Sequence, residues 1–222
     1  MKVEIWSDVM CPFCYIGKRR FEKALQQLPE KDQVSVEWKS FQLNPGLQTD
    51  PSKSATDYLM EIKGWSREQA RSVNQHVSDM AATEGLVYHL DKTVLANSYD
   101  AHRVLQLAKE EKRGAEMEER LFKAYFTDGE NIADHNTLMK LGREVGLLEE
   151  KLRQVLAGSE YDSHVEKDIY ESQQIGVRGV PYFVLNDKYA VSGAQATEVF
   201  AGALAKAISE WQQEQAASSA GS

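Results

Sequence analysis

The sequence is poor in cysteine and proline, and it has no apolar run long enough to span a bilayer. Its two cysteines, Cys11 and Cys14, are separated by only two residues. They cannot staple distant parts of a small secreted scaffold, and in a reducing compartment such a pair is catalytic or metal-binding. No stretch of eighteen apolar residues occurs, and the opening MKVEIWSDVM carries Glu4 and Asp8 where a signal peptide needs an unbroken apolar segment. The expectation is a cytoplasmic protein with no membrane partner. Positive charge is also short: 26 Lys and Arg face 34 Asp and Glu, for a net charge of −8. The resulting field repels phosphate backbones, so no nucleic acid partner is expected. What remains, 42% hydrophobic and 27% charged residues over 222 positions, is enough to bury a substantial core.

Proline is confined to positions 12, 29, 45, 51 and 181. The long proline-free interval carries apolar residues at helical spacing: Ala101, Val104 and Leu105; Met117, Leu121 and Ala124; Leu148, Leu152, Val155 and Leu156. Residues 44–175 are therefore expected to form an inserted α-helical domain, broken at Gly64, Gly85, Gly114, Thr127-Asp128-Gly129 and Gly158. The flanks read differently. KVEIWS (2–7) is a short strand, and Phe21, Ala24, Leu25 and Leu28 then recur at helical spacing. VSVEWKSF (34–41) alternates, with Val34, Val36 and Trp38 on one side, which completes a βαβ unit by about residue 43. In YFVLNDKYAV (182–191), two β-rich runs flank Asn186-Asp187, a pair that tolerates the positive φ angles of a tight hairpin. A last helix over about 195–212 is expected to bury Val199, Phe200, Ala203, Leu204, Ala207, Ile208 and Trp211, leaving 213–222 as a disordered tail. The fold class is α/β.

The chemistry is expected at Cys11-Pro12-Phe13-Cys14, where a strand hands over to a helix. Cys11 would be the N-cap and Pro12 the first helical residue, a position at which its missing N–H is no loss. The N–H groups of residues 13 and 14 and the positive end of the helix dipole would then favour thiolate over thiol at Cys11, making it the attacking sulfur. Cys14, one turn further in, would resolve a mixed disulfide between Cys11 and a substrate. Phe13 brings no positive charge, so the effect on Cys11 should be milder than a cationic neighbour would give. The competing reading is half a zinc site, which needs two more ligands. No third cysteine exists, and the histidines at 76, 89, 102, 135 and 164 include no close pair, so no metal is expected.

IGVRGVPYFV (175–184) places Pro181 at the head of the hairpin, where a strand-initial proline is tolerated and, taken alone, a trans bond is the default. The opening SDVMCPFCYIG (7–17), NSYDAHR (97–103), GVRGVPYF (176–183) and GAQ (193–195), in that order, resemble the DsbA family and its FrnE-like cytoplasmic branch. The resemblance covers the chain to about residue 212. It implies a thioredoxin-like fold with a large inserted α-helical domain, the thioredoxin-like part being 1–43 and 176–212. It further implies dithiol-disulfide exchange through a redox-active Cys11–Cys14 disulfide with no bound cofactor. Pro12, Phe13, Val180 and a cis Pro181 would meet the substrate, Val180 through its backbone N–H and C=O. Partners would be thiol- or disulfide-containing proteins or small thiols, with glutathione a candidate electron donor and the chain a monomer or homodimer.

Asn97, His102 and Arg103 match the family's helical motif, although an N-cap at Asn97 and a packed or salt-bridged His102-Arg103 explain them equally well. Asp8 either influences thiol protonation or caps the turn after the first strand, the second being favoured. Two other functions stay open: a glutathione-dependent isomerase or kappa-type transferase, which usually carries serine where Cys11 stands, and a non-catalytic peptide-binding or holdase module.

Overall fold

In the computed structural model, which describes residues 1–220, the chain begins with β1 (Lys2–Ser7), α1 (Pro12–Gln26) and β2 (Ser35–Ser40). It rejoins these strands at β5 (Tyr182–Leu185) and β6 (Tyr189–Ser192), and closes with α9 (Thr197–Ala220). These strands form one sheet in the order β2-β1-β5-β6. β1 pairs in parallel with β2 (Ile5 opposite Trp38) and antiparallel with β5 (Ile5 opposite Phe183). Asn186 and Asp187, at φ 52 and 56, turn the chain from β5 into β6, as the mirror-image hairpin turns require. Phe21 of α1, Phe183 of β5 and Phe200 of α9 are buried together, with Phe183 and Phe200 edge to face at 4.6 Å. This cluster anchors both terminal helices on the sheet.

Between the halves lie β3 (Asp50–Ser54), α2 (Ala55–Lys63), α3 (Arg67–Thr83), β4 (Val94–Leu95), α4 (Tyr99–Glu110), α5 (Gly114–Phe122), α6 (His135–Glu144), α7 (Glu149–Ala157) and α8 (Asp162–Gln174). The expected helical breaks recur, Gly64 and Gly129 taking left-handed φ values of 65 and 71 at helix ends. The stripes Ala101, Val104, Leu105, Met117, Leu121, Ala124, Leu152, Val155 and Leu156 are buried.

Several expectations are corrected. The segment is not wholly helical: β3 and β4 form a two-stranded ribbon, seated by a bond from Ala55 N to Thr93 O, and DPSKS has no alternation that would announce it. Leu148 is the N-cap of α7 and is exposed. Val36 and Val199 are also exposed, the first because β2 is a sheet edge. The tail expected to be disordered over 213–222 continues α9 to residue 220, because Gln212 to Ala220 contain no glycine or proline to stop it; residues 221 and 222 lie outside the described residues.

Candidate active site

Strand β1 ends at Ser7, and the loop Asp8-Val9-Met10 delivers Cys11 to the head of α1. The loop is set by Asp8, which is buried. Its Oδ1 accepts from Met10 N at 3.2 Å, its Oδ2 accepts from Leu43 N at 2.7 Å, and its carbonyl accepts from Cys11 N at 2.9 Å. Cys11 is the N-cap, with extended φ and ψ of −88 and 111, and Pro12 opens the helix. Both cysteines are free thiols, Cys11 4% exposed and Cys14 fully buried. Phe13 is the exposed member of the motif, at 39%.

The Cys11 sulfur does not cap the helix as its position suggested. The N–H of Cys14 is spent on the Cys11 carbonyl at 3.0 Å, and Cys11 Sγ turns to donate to Val180 O at 3.4 Å. A protonated thiol needs an acceptor, and a carbonyl supplies one where helix N–H groups cannot. The Val180–Pro181 peptide bond is cis. Gly193 N, at the end of β6, donates to Pro181 O at 2.8 Å and ties this segment to the hairpin. Gly17 lets α1 approach it: a Cβ at that position would stand 2.9 Å from Pro181 Cγ. A proline ring cannot rotate aside, so Gly17→Ala is expected to lower stability by about 1–3 kcal/mol, read as a lower urea midpoint; an unchanged midpoint would show the contact to be soft.

Burial pushes the Cys14 thiol well above its ordinary value, reinforced by the neighbouring Cys11 and opposed by the Asp8 backbone and the Ser7 hydroxyl. Behind it lies a buried polar cluster. Ser7 Oγ donates to Glu118 Oε1 at 2.8 Å, and His102 Nε2 stands 3.5 Å from Asp8 Oδ1. His102 and Glu118 have no solvent exposure. Glu118 Oε2 and both His102 ring nitrogens make no hydrogen bond within the protein. Burial raises the Glu118 carboxyl to about 7 against the opposing fields of His102 and Lys18. The next residue on α5 faces other partners: Glu119 accepts from Tyr15 Oη at 2.5 Å and Lys18 Nζ at 2.7 Å and pairs with Arg19.

An aromatic stack covers the first turn of α1. Tyr15 lies on Phe122 and Tyr88 on Phe126, each pair at 4.9 Å, and Tyr88 Oη donates to Pro12 O at 2.7 Å. Phe126 sits in a π-helical turn over Lys123–Asp128.

Of the residues read from the sequence, the structure brings together Asp8, Cys11, Pro12, Phe13, Cys14, Val180, Pro181 and His102. Asn97 and Arg103 bond elsewhere. Asn97 is not the N-cap, which is Ser98; its side chain accepts from Tyr99 N and Gln42 Nε2 and donates to Leu47 O. Arg103 holds the carbonyls of Val155, Gly158 and Glu160 at the end of α7. Ser7, Tyr88 and Glu118 are additions. Glu118 had a signal, since it falls three and four residues before Leu121 and Phe122 on an apolar stripe where a charge is out of place. No group of three or more His, Cys, Asp or Glu suited to a metal ion occurs among the described residues, and none of their helices is long and apolar enough to cross a membrane.

A cysteine pair at the head of the first helix of a βαβ unit, faced by an X-Pro bond at the start of a hairpin and split by helices, is the thioredoxin-like fold with a helical insertion. A family model, "DSBA-like thioredoxin domain", matches residues 2–205. The chain belongs to this family of DsbA-like thiol-disulfide oxidoreductases. It is 32% identical to "Uncharacterized protein YwbO" of Bacillus subtilis (strain 168), over 95% of this chain and 96% of that one. Among solved structures it is similar to a probable DsbA oxidoreductase, SCO1869, from Streptomyces coelicolor, at 40% identity and TM-score 0.89, covering 95% and 91% of the two chains. The cytosolic disulfide reductase DsbM from Pseudomonas aeruginosa shares the fold at 18% identity and TM-score 0.64, covering 97% and 98%.

Proposed function

We propose that the chain exchanges disulfides through Cys11 and Cys14. The segments 1–43 and 176–212 form its thioredoxin-like unit, and 44–175 is an inserted one. The observation that carries the reading is the placement of the two thiols. Cys11 stands at the positive end of α1 with its sulfur 3.4 Å from Val180 O, and Cys14 is enclosed one turn behind. In the reducing direction, Cys11 thiolate attacks a substrate disulfide and expels one thiolate, leaving a mixed disulfide; Cys14 then attacks Cys11 Sγ, expels the second thiolate and closes the Cys11–Cys14 bond. The oxidising direction is the reverse. Phe13 and Pro12 offer an apolar rim, and the backbone of Val180 pairs with an extended substrate segment, a contact that reads backbone and tolerates varied sequence. Protein disulfides or small thiols are the substrate class, and glutathione is a donor of electrons in a cytoplasmic setting.

The test is reduction of insulin with dithiothreitol or glutathione as donor, comparing wild type with Cys11→Ser. Loss of turnover in the variant is the expected result. Turnover within twofold of wild type would overturn the reading in favour of a glutathione-dependent isomerase or a holdase. The reduction potential of the pair against glutathione decides which direction operates.

A further inference from the structure

The exchange reading leaves one step without a base. Cys14 must lose a proton before it can attack, yet its burial holds that proton on the sulfur. The Ser7 hydroxyl favours the Cys14 thiolate and donates to Glu118 Oε1 at 2.8 Å. The second oxygen of Glu118 is unpartnered although the side chain has no solvent exposure. An unsatisfied buried carboxylate oxygen is costly and persists where it has a use. The charge around it comes from three other elements: His102 from α4, Lys18 from α1 and Asp8 from the loop after β1. Lys18 is bound to Glu22 and Glu119, and Asp8 to Met10 N and Leu43 N. His102, both ring nitrogens unpartnered, keeps hydrogen-bonding capacity beside the carboxylates.

We propose that Glu118, reached through Ser7, receives the Cys14 proton when Cys14 resolves the mixed disulfide. This rests on the exchange reading above. The Cys14 S–H proton passes to Ser7 Oγ as the Ser7 proton passes to the Glu118 carboxylate. Cys14 sulfur bonds to Cys11 sulfur, the bond from Cys11 to the substrate sulfur breaks, and the electron pair leaves on the substrate thiolate. One carboxylate becomes a carboxylic acid, one substrate thiolate is released, and no further oxidant or base is needed. Glu118 touches neither sulfur, so it is a positioning residue for the proton. The helical insertion thereby takes part in the redox step, because α5 carries the acceptor while β1 and α1 carry the hydroxyl and the thiol.

The experiment treats the reduced full chain with 5,5′-dithiobis(2-nitrobenzoate) and follows released thionitrobenzoate. The first equivalent reports attack by Cys11, and the second reports resolution by Cys14. In wild type the second phase should accelerate as pH rises through about 7, where Glu118 becomes a carboxylate. In Glu118→Gln the first phase should stay within about twofold. The second should slow about tenfold or more at pH 7.5, within the range of a lost general base. It should also lose the inflection and rejoin wild type at high pH, where hydroxide serves. Ser7→Ala should act the same way and Ser7→Thr, which keeps the hydroxyl, should restore the phase. A second phase whose pH profile is unchanged in both Glu118→Gln and Ser7→Ala overturns the proposal, as does a slowing that is equal at every pH. Failure of the exchange reading looks different: wild type would release no second equivalent at any pH.

Discussion

Cys14→Ala is expected to stop the reaction with substrate still attached to Cys11. Turnover should fall on the order of a thousandfold or more, the scale on which removing one member of a concerted pair acts, while the first attack survives. The reason lies in the division of exposure. Cys11 keeps a little accessible surface beside Phe13 and Val180, whereas Cys14 has none and lies in the buried core behind the Cys11 sulfur. A mixed disulfide at Cys11 can therefore be resolved from inside by Cys14 far faster than from outside by a bulky thiol. Mass spectrometry under non-reducing conditions should show a covalent adduct on Cys14→Ala that dithiothreitol removes. Cys11→Ala should give no adduct, and the double variant should behave as Cys11→Ala does. Equal adduct on Cys11→Ala and Cys14→Ala would show that the two thiols are interchangeable and that the geometry of the N-cap does not assign their roles.

Much of this arrangement was legible because it is local. The strand before Cys11, the proline at the first helical position and the turn at Asn186-Asp187 are each set by residues adjacent in sequence, and each stands where the pattern put it. The orientation of the Cys11 sulfur was not legible, since its acceptor, Val180 O, lies 169 residues away. Ser7 and Glu118 are 111 residues apart, so although the apolar stripe singles out Glu118 within EMEER, nothing local says that Ser7 meets it until α5 is placed on the sheet. The 97–103 motif divides for the same reason. Helical geometry points His102 at Asp8 and turns Arg103 toward the end of α7, a separation of neighbours by 100° that a linear motif hides. The continuation of α9 past 212 is hidden by a small, polar composition that resembles a loose tail, although the segment holds no helix breaker before Gly221.

Glu118→Gln should make the protein more stable at alkaline pH while impairing its chemistry. Burial raises the Glu118 carboxyl from 4.5 to about 7, so the native state holds this proton more tightly than the unfolded chain does. That contribution is whole below about pH 4.5 and is lost as pH rises through about 7. Above that point the carboxylate is charged in both states, and the native one carries the cost of an ion without water. The interval from 4.5 to about 7 corresponds to about 3 kcal/mol. Glutamine has nearly the same shape, keeps an oxygen to accept from Ser7 Oγ, and is neutral at every pH. Urea unfolding should therefore give nearly equal stabilities for the two proteins near pH 5 and a gap in favour of Glu118→Gln that opens to about 3 kcal/mol by pH 8.5. A gap that is constant with pH, or a variant weaker than wild type at pH 8.5, would mean that Glu118 is not a carboxylate held in destabilising surroundings. The chain retains a residue whose neutral isostere would fold it more firmly, which is the trade expected where a buried group must gain and lose a proton at neutral pH.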